Sequence, residues 1–265
     1  MELLSRAIGP LQTNVHLVAD ARTREAIAID AAIPCLPWIT GELDARGWRL
    51  ALIVSTHGHW DHTGENAALQ AWSRDRAGPA ARGAAEAPGA GEAGRTAEAA
   101  LVDHAAAHSL TVITPDGRGH RPDASRGAEI AAHPADWYRL IDPAPLFAPF
   151  PIPACVPAAE LAEGSVIRFG EVRLDVLHTP GHTEGSVCLV SHEAGIVFSG
   201  DTLFAAGWGR VDLPGGDPRA MAESLARLAT LPDGLRVLPG HGRETTIARE
   251  RAWLELVARE RRLPL

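Results

Sequence analysis

Four apolar runs of this sequence end on a side chain that can bind a cation. VSTH reaches His57, LHTPGH reaches His182, VFSGD reaches Asp201 and VLPGH reaches His241. Each run reads as a strand followed by a turn that delivers an imidazole or a carboxylate. Glycine precedes three of these residues, where the backbone can turn sharply and approach closely. His57-Gly58-His59-Trp60-Asp61-His62 places four potential ligands within six residues. In an extended turn His57 and His59 point the same way. Asp61 and His62, opening the next helix, point to a second ion. Strand ends at one edge of a sheet pair converge, so the predicted set is one cluster of five histidines and two aspartates. Imidazole and carboxylate without thiolate suit zinc, iron or manganese rather than magnesium or calcium. Seven ligands exceed the three or four that one zinc takes. Two divalent ions sharing a carboxylate are therefore expected, with zinc the favoured metal and iron or manganese compatible.

The rest of the composition narrows the chemistry. All 25 basic residues of the 265-residue chain are Arg, so Schiff-base catalysis and a phosphate-loop lysine are excluded. A formal net charge of −8 argues against a nucleic-acid surface, which needs a basic face. Cys35, Cys155 and Cys188 are scattered and odd in number, so neither a disulfide framework nor a thiolate zinc site is read. Cys188, in SVCLV, is read as core rather than as a nucleophile. The chain opens without a long apolar run, and no stretch approaches the ~18 apolar residues of a membrane span. The expectation is a soluble, cytoplasmic protein with a small-molecule substrate and no nucleic-acid or membrane partner.

The elements that must position these residues follow from pattern. Strands are predicted over 3–8, 15–20 and 25–30, a helix over 36–47, and a buried strand over 50–56 that runs into His57. A helix follows over 66–72. Composition then shifts across 73–126, and residues 77–100 are almost wholly Ala, Gly, Pro and Glu. Such a stretch cannot build its own core. It reads as an insertion in a single domain spanning 1–265, with a helix over 96–109 in which His104 and His108 share a face. A strand over 129–133, a short helix over 134–142 and a proline-rich loop over 143–157 come next. Four strands are then predicted at 165–169, 172–178, 186–191 and 195–199. Asp217-Pro218 opens a helix as cap and first turn, with Met221, Leu225 and Leu228 on one face. A strand over 235–238 and a helix over 246–262 close the chain.

The segments THGHWDH, TPGHT, SGDTLF and LPGHG, in this order, resemble the metallo-β-lactamase superfamily. The resemblance implies an α/β architecture, an αββα sandwich with the metals at one edge. It implies that His57, His59 and His182 hold one metal, that Asp61, His62 and His241 hold the second, and that Asp201 bridges them. GDTLFAAGWGRVDLPGGD is similar to the hydroxyacylglutathione hydrolase (glyoxalase II)-like branch and to its neighbour, the persulfide dioxygenases. The implied activity is hydrolysis of a thioester or ester by a hydroxide shared between two ions, with Asp61 and Asp201 as the catalytic carboxylates. True hydroxyacylglutathione hydrolases carry a C-terminal helical domain after the last ligand. Here 24 residues follow His241, so small thioesters with only weak preference for the acyl-glutathione form are expected.

A mononuclear iron dioxygenase acting on a persulfide is the alternative, because such relatives keep the same ligands. A phosphodiesterase or lactonase is a more distant reading. Arg210 is read either as the ion-pair partner of Asp212 or as a contact for an acidic substrate, and Tyr138 as helix packing or part of the substrate mouth. His16, His133, His178 and His192 are read as structural.

Overall fold

Alternation of apolar side chains along the strands divides the core into three layers. The computed structural model describes residues 1–77, 109–143, 148 and 150–264. Strands β1 (Glu2–Ile8), β2 (Thr13–Ala19), β3 (Glu25–Ile29) and β4 (Arg49–Val54) join β7 (Glu129–Ala132) and β8 (Ala159–Glu160). They form a six-stranded sheet in the order β1-β2-β3-β4-β7-β8. The second sheet contains β5 (Thr111–Ile113), β6 (Gly119–His120), β9 (Val166–Phe169), β10 (Val172–His178), β11 (Val187–Ser191), β12 (Ile196–Gly200), β13 (Arg236–Pro239) and β14 (Thr245–Thr246). Its order is β14-β13-β12-β11-β10-β9-β5-β6.

Period two decides what each strand faces. Val187 and Leu189 of β11 and Ile196 and Phe198 of β12 meet Ile27, Ile29, Leu52 and Val54 between the sheets. Cys188, Val190 and Val197 point the other way, against helices α5 (Pro218–Leu228) and α6 (Ile247–Glu260). Ala26 and Ala28 of β3 and Ile53 of β4 likewise meet Ile39 and Leu69 of helices α1 (Leu36–Arg46) and α3 (Asn66–Arg76). Two stacked sheets with a helical layer on each outer face make an αββα sandwich. Local chemistry ends the helices where the sequence predicts. Gly47 takes φ 63° after α1. The Asp217 carboxylate accepts from the Arg219 and Ala220 amides at the start of α5.

Four features differ from the sequence expectation. The insertion does not extend over 73–126: α3 continues through Arg76, and Leu110 and Val112 are buried in the inter-sheet core. β5 pairs with β9 through Thr111–Arg168, Val112–Ile167 and Ile113–Val166. Three residues are too few to show a period, so only this partner makes the segment a strand. The helix expected at 134–142 is a 3-10 turn, Pro134–Asp136, followed by α4 (Trp137–Ile141). Four residues, Trp60–Thr63, form a separate helix α2. Residues 77–100 beyond Ala77, the helix expected over 96–109 up to residue 108, and the His104/His108 pair lie outside the described residues.

Candidate metal centre

Seven side chains meet at the edge where β4, β10, β12 and β13 end. β4 ends just before His57, and the amide of Thr56 is held by the Asp30 carboxylate at 2.8 Å. His59 immediately precedes α2, which carries Asp61 and His62. β10 leads to His182, β12 ends one residue before Asp201, and β13 ends two residues before His241. The clustered side chains leave no room for a Cβ at Gly240. A Cβ there would lie 2.2 Å from Asp201 Oδ1 and 2.7 Å from His62 Cε1.

Three triads have ligand atoms within 4.8 Å of one another: His57/His59/His182, His57/His62/Asp201 and Asp61/His62/His241. His59 Nδ1 lies 2.8 Å from His182 Nε2. His62 Nε2 lies 3.2 Å from His241 Nε2. Asp201 stands between the groups, with Oδ1 3.5 Å from His62 Nε2 and Oδ2 3.4 Å from His182 Nε2 and 3.5 Å from His241 Nε2. Asp61 Oδ2 is 3.2 Å from His241 Nε2 and accepts from the Thr13 hydroxyl at 3.2 Å.

The outer nitrogen of four of the five imidazoles is committed to a fixed acceptor. His62 Nδ1 donates to Asp30 at 2.9 Å. His182 Nδ1 donates to the Arg210 carbonyl at 2.7 Å, and His241 Nδ1 to the Leu11 carbonyl at 3.0 Å. His57 Nδ1 donates to Thr56 Oγ1 at 3.1 Å, and that hydroxyl donates onward to Asp30 at 2.8 Å. Such bonds fix the tautomer of the neutral ring, whose lone pair is then on the inner nitrogen. Burial, together with the neighbouring imidazoles His62, His182 and His59, pushes His57 well below the ordinary histidine range. Burial and His182 push His59 down to about 3. His62 behaves oppositely: burial would lower it, but Asp61, Asp201 and Asp30 together raise it to about 10. Burial would raise Asp61, yet His62 and His241 hold it below the usual carboxylate range.

The donor set fits divalent cations on an independent observation. His57 Nε2 and Asp201 Oδ1 are buried and have no hydrogen-bond partner. A buried polar atom left so is costly unless something else binds it. A cation between lone pairs of neutral imidazole and carboxylate supplies that partner.

All seven expected ligands therefore lie in one cluster. Arg210 and Tyr138 line the cavity of about 760 Å³ that opens over it. Arg210 forms the ion pair with Asp212, at 2.7 and 2.8 Å, and reaches the centre only through its backbone carbonyl. Tyr138 is exposed at the mouth. His16 is buried against Phe198, 5.0 Å between ring centroids. His133 and His178 stack on one another at 3.9 Å outside the cluster, and His192 is on the surface. Burial raises the Cys188 thiol to about 11, consistent with a core residue.

Sequence reasoning missed three positioning residues. Asp30 ends the run EAIAID, the same apolar-run-then-acid pattern that marks Asp201, and that signal was available. Asn14 Nδ2 donates to the Pro239 and Gly242 carbonyls, each at 2.9 Å, and clamps the His241 turn. Asp136 is fully buried. It accepts from Gly58 N at 2.7 Å, Thr183 Oγ1 at 2.7 Å and Gly185 N at 3.0 Å. One carboxylate thus ties the His57–His59 turn to the His182 turn. Nothing in HPADWY distinguishes it from an ordinary helix-opening acid.

The chain is similar over most of its length to several known proteins. It is 32% identical over 241 residues to the hydroxyacylglutathione hydrolase of Maricaulis maris, covering 91% of this chain and 66% of that protein. The solved structure of TTHA1623 in a di-iron-bound form matches with TM-score 0.63 and 30% identity, over 93% of this chain and 96% of that one. The BLEG-1 B3 metallo-beta-lactamase matches with TM-score 0.67 and 25% identity, over 97% and 99%. The sequence profile of the metallo-beta-lactamase superfamily matches residues 8–241, a span that contains all seven clustered side chains. The chain belongs to the metallo-beta-lactamase superfamily.

Proposed function

We propose that this chain is a binuclear metallohydrolase that cleaves a thioester or ester of a small molecule. The observation that carries the reading is the placement of Asp201. Its carboxylate lies within 3.5 Å of His182, from one group of ligands, and of His62 and His241, from the other, as a carboxylate shared between two ions would. The similarity to a protein named hydroxyacylglutathione hydrolase supports a thioester as the substrate.

His57, His59 and His182 would hold one ion, and Asp61, His62 and His241 the other, with Asp201 common to both. Divalent ions, when bound, lower the pKa of water and polarise a carbonyl oxygen. The chain supplies the rest. Hydrolysis adds water across the C–S or C–O bond and releases an acid and a thiol or alcohol. Asp61, kept ionised by the adjacent imidazoles, is placed to accept a hydrogen bond from the attacking water. The Thr13 hydroxyl fixes the direction of that carboxylate. Asp30, Leu11 and Arg210 hold His62, His241 and His182 so that their inner nitrogens do not wander. Gly58 and Gly209 also line the cavity, and the close approach of Arg139 to the first and of the Asp201 backbone to the second leaves no room for a larger residue at either.

Elemental analysis of protein purified without added metal, paired with a panel of thioesters and esters, tests the reading. Two ions per chain are expected, ~3.5–4 Å apart by X-ray absorption. Asp201→Ala should lower metal content and hydrolysis together. Full metal content and full activity in that variant would sink the assignment. A single iron with oxygen uptake on a persulfide, and no hydrolysis, would move the chain to the dioxygenase chemistry.

A further inference from the structure

The walls of the cavity say more about the substrate than the ligands do. On the described residues the mouth is apolar: Leu11, Trp60, Pro143, Phe204, Leu213 and Pro214 line it. Five large apolar side chains are strongly exposed among the described residues, and two of them, Leu11 and Tyr138, stand at this mouth. Exposed apolar surface gathered around a concave site marks what the site binds. Trp60 is braced edge-to-face by Phe150 at 5.8 Å, so its ring is a fixed wall rather than a mobile cover.

The charges point the same way. Among the described residues two guanidinium groups line the cavity, and both are already bound. Arg139 Nη1 lies 2.7 Å from Asp136 and 2.6 Å from Glu184, and its Nη2 donates to the Pro214 carbonyl at 2.9 Å. Arg210 makes its two-point contact with Asp212. Asp142 adds a further carboxylate to the lining, without a basic partner among the described residues. Away from the ligands Asp142 is the one carboxylate in the lining among the described residues, and the arginines' partners Glu184 and Asp212, with buried Asp136 behind them, more than offset the two positive charges. Among the described residues, an anionic tail lying across this mouth would find no free guanidinium, and would meet Asp142 and the exposed carboxylates of Glu184 and Asp212. Glutathione carries two carboxylates, and coenzyme A carries phosphates. A neutral apolar tail meets no such cost.

We infer that the substrate is a neutral thioester or ester with an aryl or alkyl group beside the scissile carbonyl, rather than an anionic glutathione or coenzyme A conjugate. The inference rests on the hydrolase reading above and narrows its substrate class. Trp60 and Phe204 form the subsite for the apolar group. The acidic rim around Arg139 is the element that excludes anions.

The test compares one acyl group on two thiols. Benzoyl-N-acetylcysteamine is neutral and benzoyl-glutathione is anionic. The expected kcat/KM favours the neutral thioester by tenfold or more, and benzoyl over acetyl on the same thiol by tenfold or more. Trp60→Ala should erase the benzoyl advantage. Raising the salt from 20 to 300 mM should raise kcat/KM for the glutathione thioester, because repulsion is screened. Glu184→Gln combined with Asp142→Asn should narrow the ratio between the two thiols threefold or more. A preference for the glutathione thioester, or a fall of its kcat/KM with salt, overturns the inference while leaving the hydrolase reading intact. If no thioester or ester is cleaved, the hydrolase reading fails. The inference is then decided by binding of the uncleavable thioethers S-benzyl-N-acetylcysteamine and S-benzylglutathione, and tighter binding of the second overturns it.

Discussion

Asp136 and Asp30 differ in what they hold, and the difference predicts different failures. Asp30 acts on single side chains, His62 directly and His57 through Thr56. Asp136 acts on two backbones, so its loss frees both turns that carry the first ligand triad. Partners of this kind are worth 10–100-fold in metal affinity. Asp136→Asn keeps the shape but turns one acceptor oxygen into a donor facing amide and hydroxyl donors. Metal affinity is expected to fall about 10–100-fold in a chelator competition, with the fold retained by circular dichroism. Unchanged affinity would show that the turns hold themselves. The contrast also explains what could be read from the sequence. Of the seven clustered residues, His57, His182, Asp201 and His241 are legible because each ends an apolar run, a rule Asp30 also obeys, and His59, Asp61 and His62 because they crowd the turn that follows His57. Asp136 follows a 3-10 turn and gains its role only when two distant turns fold onto it. No local pattern encodes that.

Elements carry the next level of control. Helix α5 is capped by Asp217, whose own amide donates to the Gly181 carbonyl at 2.8 Å. The cap therefore links the helix start to the residue before His182. Asp217→Ala should cost about 1 kcal/mol of stability in urea unfolding and should loosen the His182 turn. An unchanged midpoint would show that the Arg219 and Ala220 amides find other acceptors. Strand β2 makes a pH-dependent contribution. Burial drives His16 from an ordinary 6.5 down to about 4. As pH falls below 6.5 the unfolded chain takes up this proton before the folded chain does. The stabilisation is therefore complete above pH 6.5 and is lost progressively towards pH 4, with a ceiling of ~3 kcal/mol. In metal-free protein, His16→Gln should flatten that part of the stability profile, and an unaltered slope would assign it elsewhere. Most strands and helices with a clear period or cap sit within a residue or two of where the pattern places them, while α3 runs four residues further, to Arg76. β5, β6, β8 and β14 were invisible because segments of two or three residues have no period.

At the scale of the molecule, the sandwich sets where the chain can be shortened. Among the described residues, the two sheets, with α1 and α3 on one outer face and α5 and α6 on the other, close three cores. The second sheet resumes at Ser109, whose amide and hydroxyl both donate to buried Glu25, at 3.0 and 2.6 Å. Glu25 is held in turn by Arg49 at 2.6 Å. Any deletion must stop short of this anchor, because Leu110 and Val112 beyond it are core. Residues 80–106 are rich in Ala, Gly and Glu and poor in large apolar side chains. Replacing them with a ten-residue Gly/Ser linker, which can reach ~33 Å, should leave a cooperatively unfolding protein. Closing a shorter loop costs less entropy, and the length change alone favours the variant by about 1 kcal/mol. The melting temperature should therefore stay level or rise by a few degrees. kcat should also be unchanged, since all seven clustered ligands lie outside the replaced stretch. A non-cooperative or insoluble variant would mean that the stretch completes a core. A changed KM with stability intact would mean that it reaches the cavity mouth and takes part in choosing the substrate.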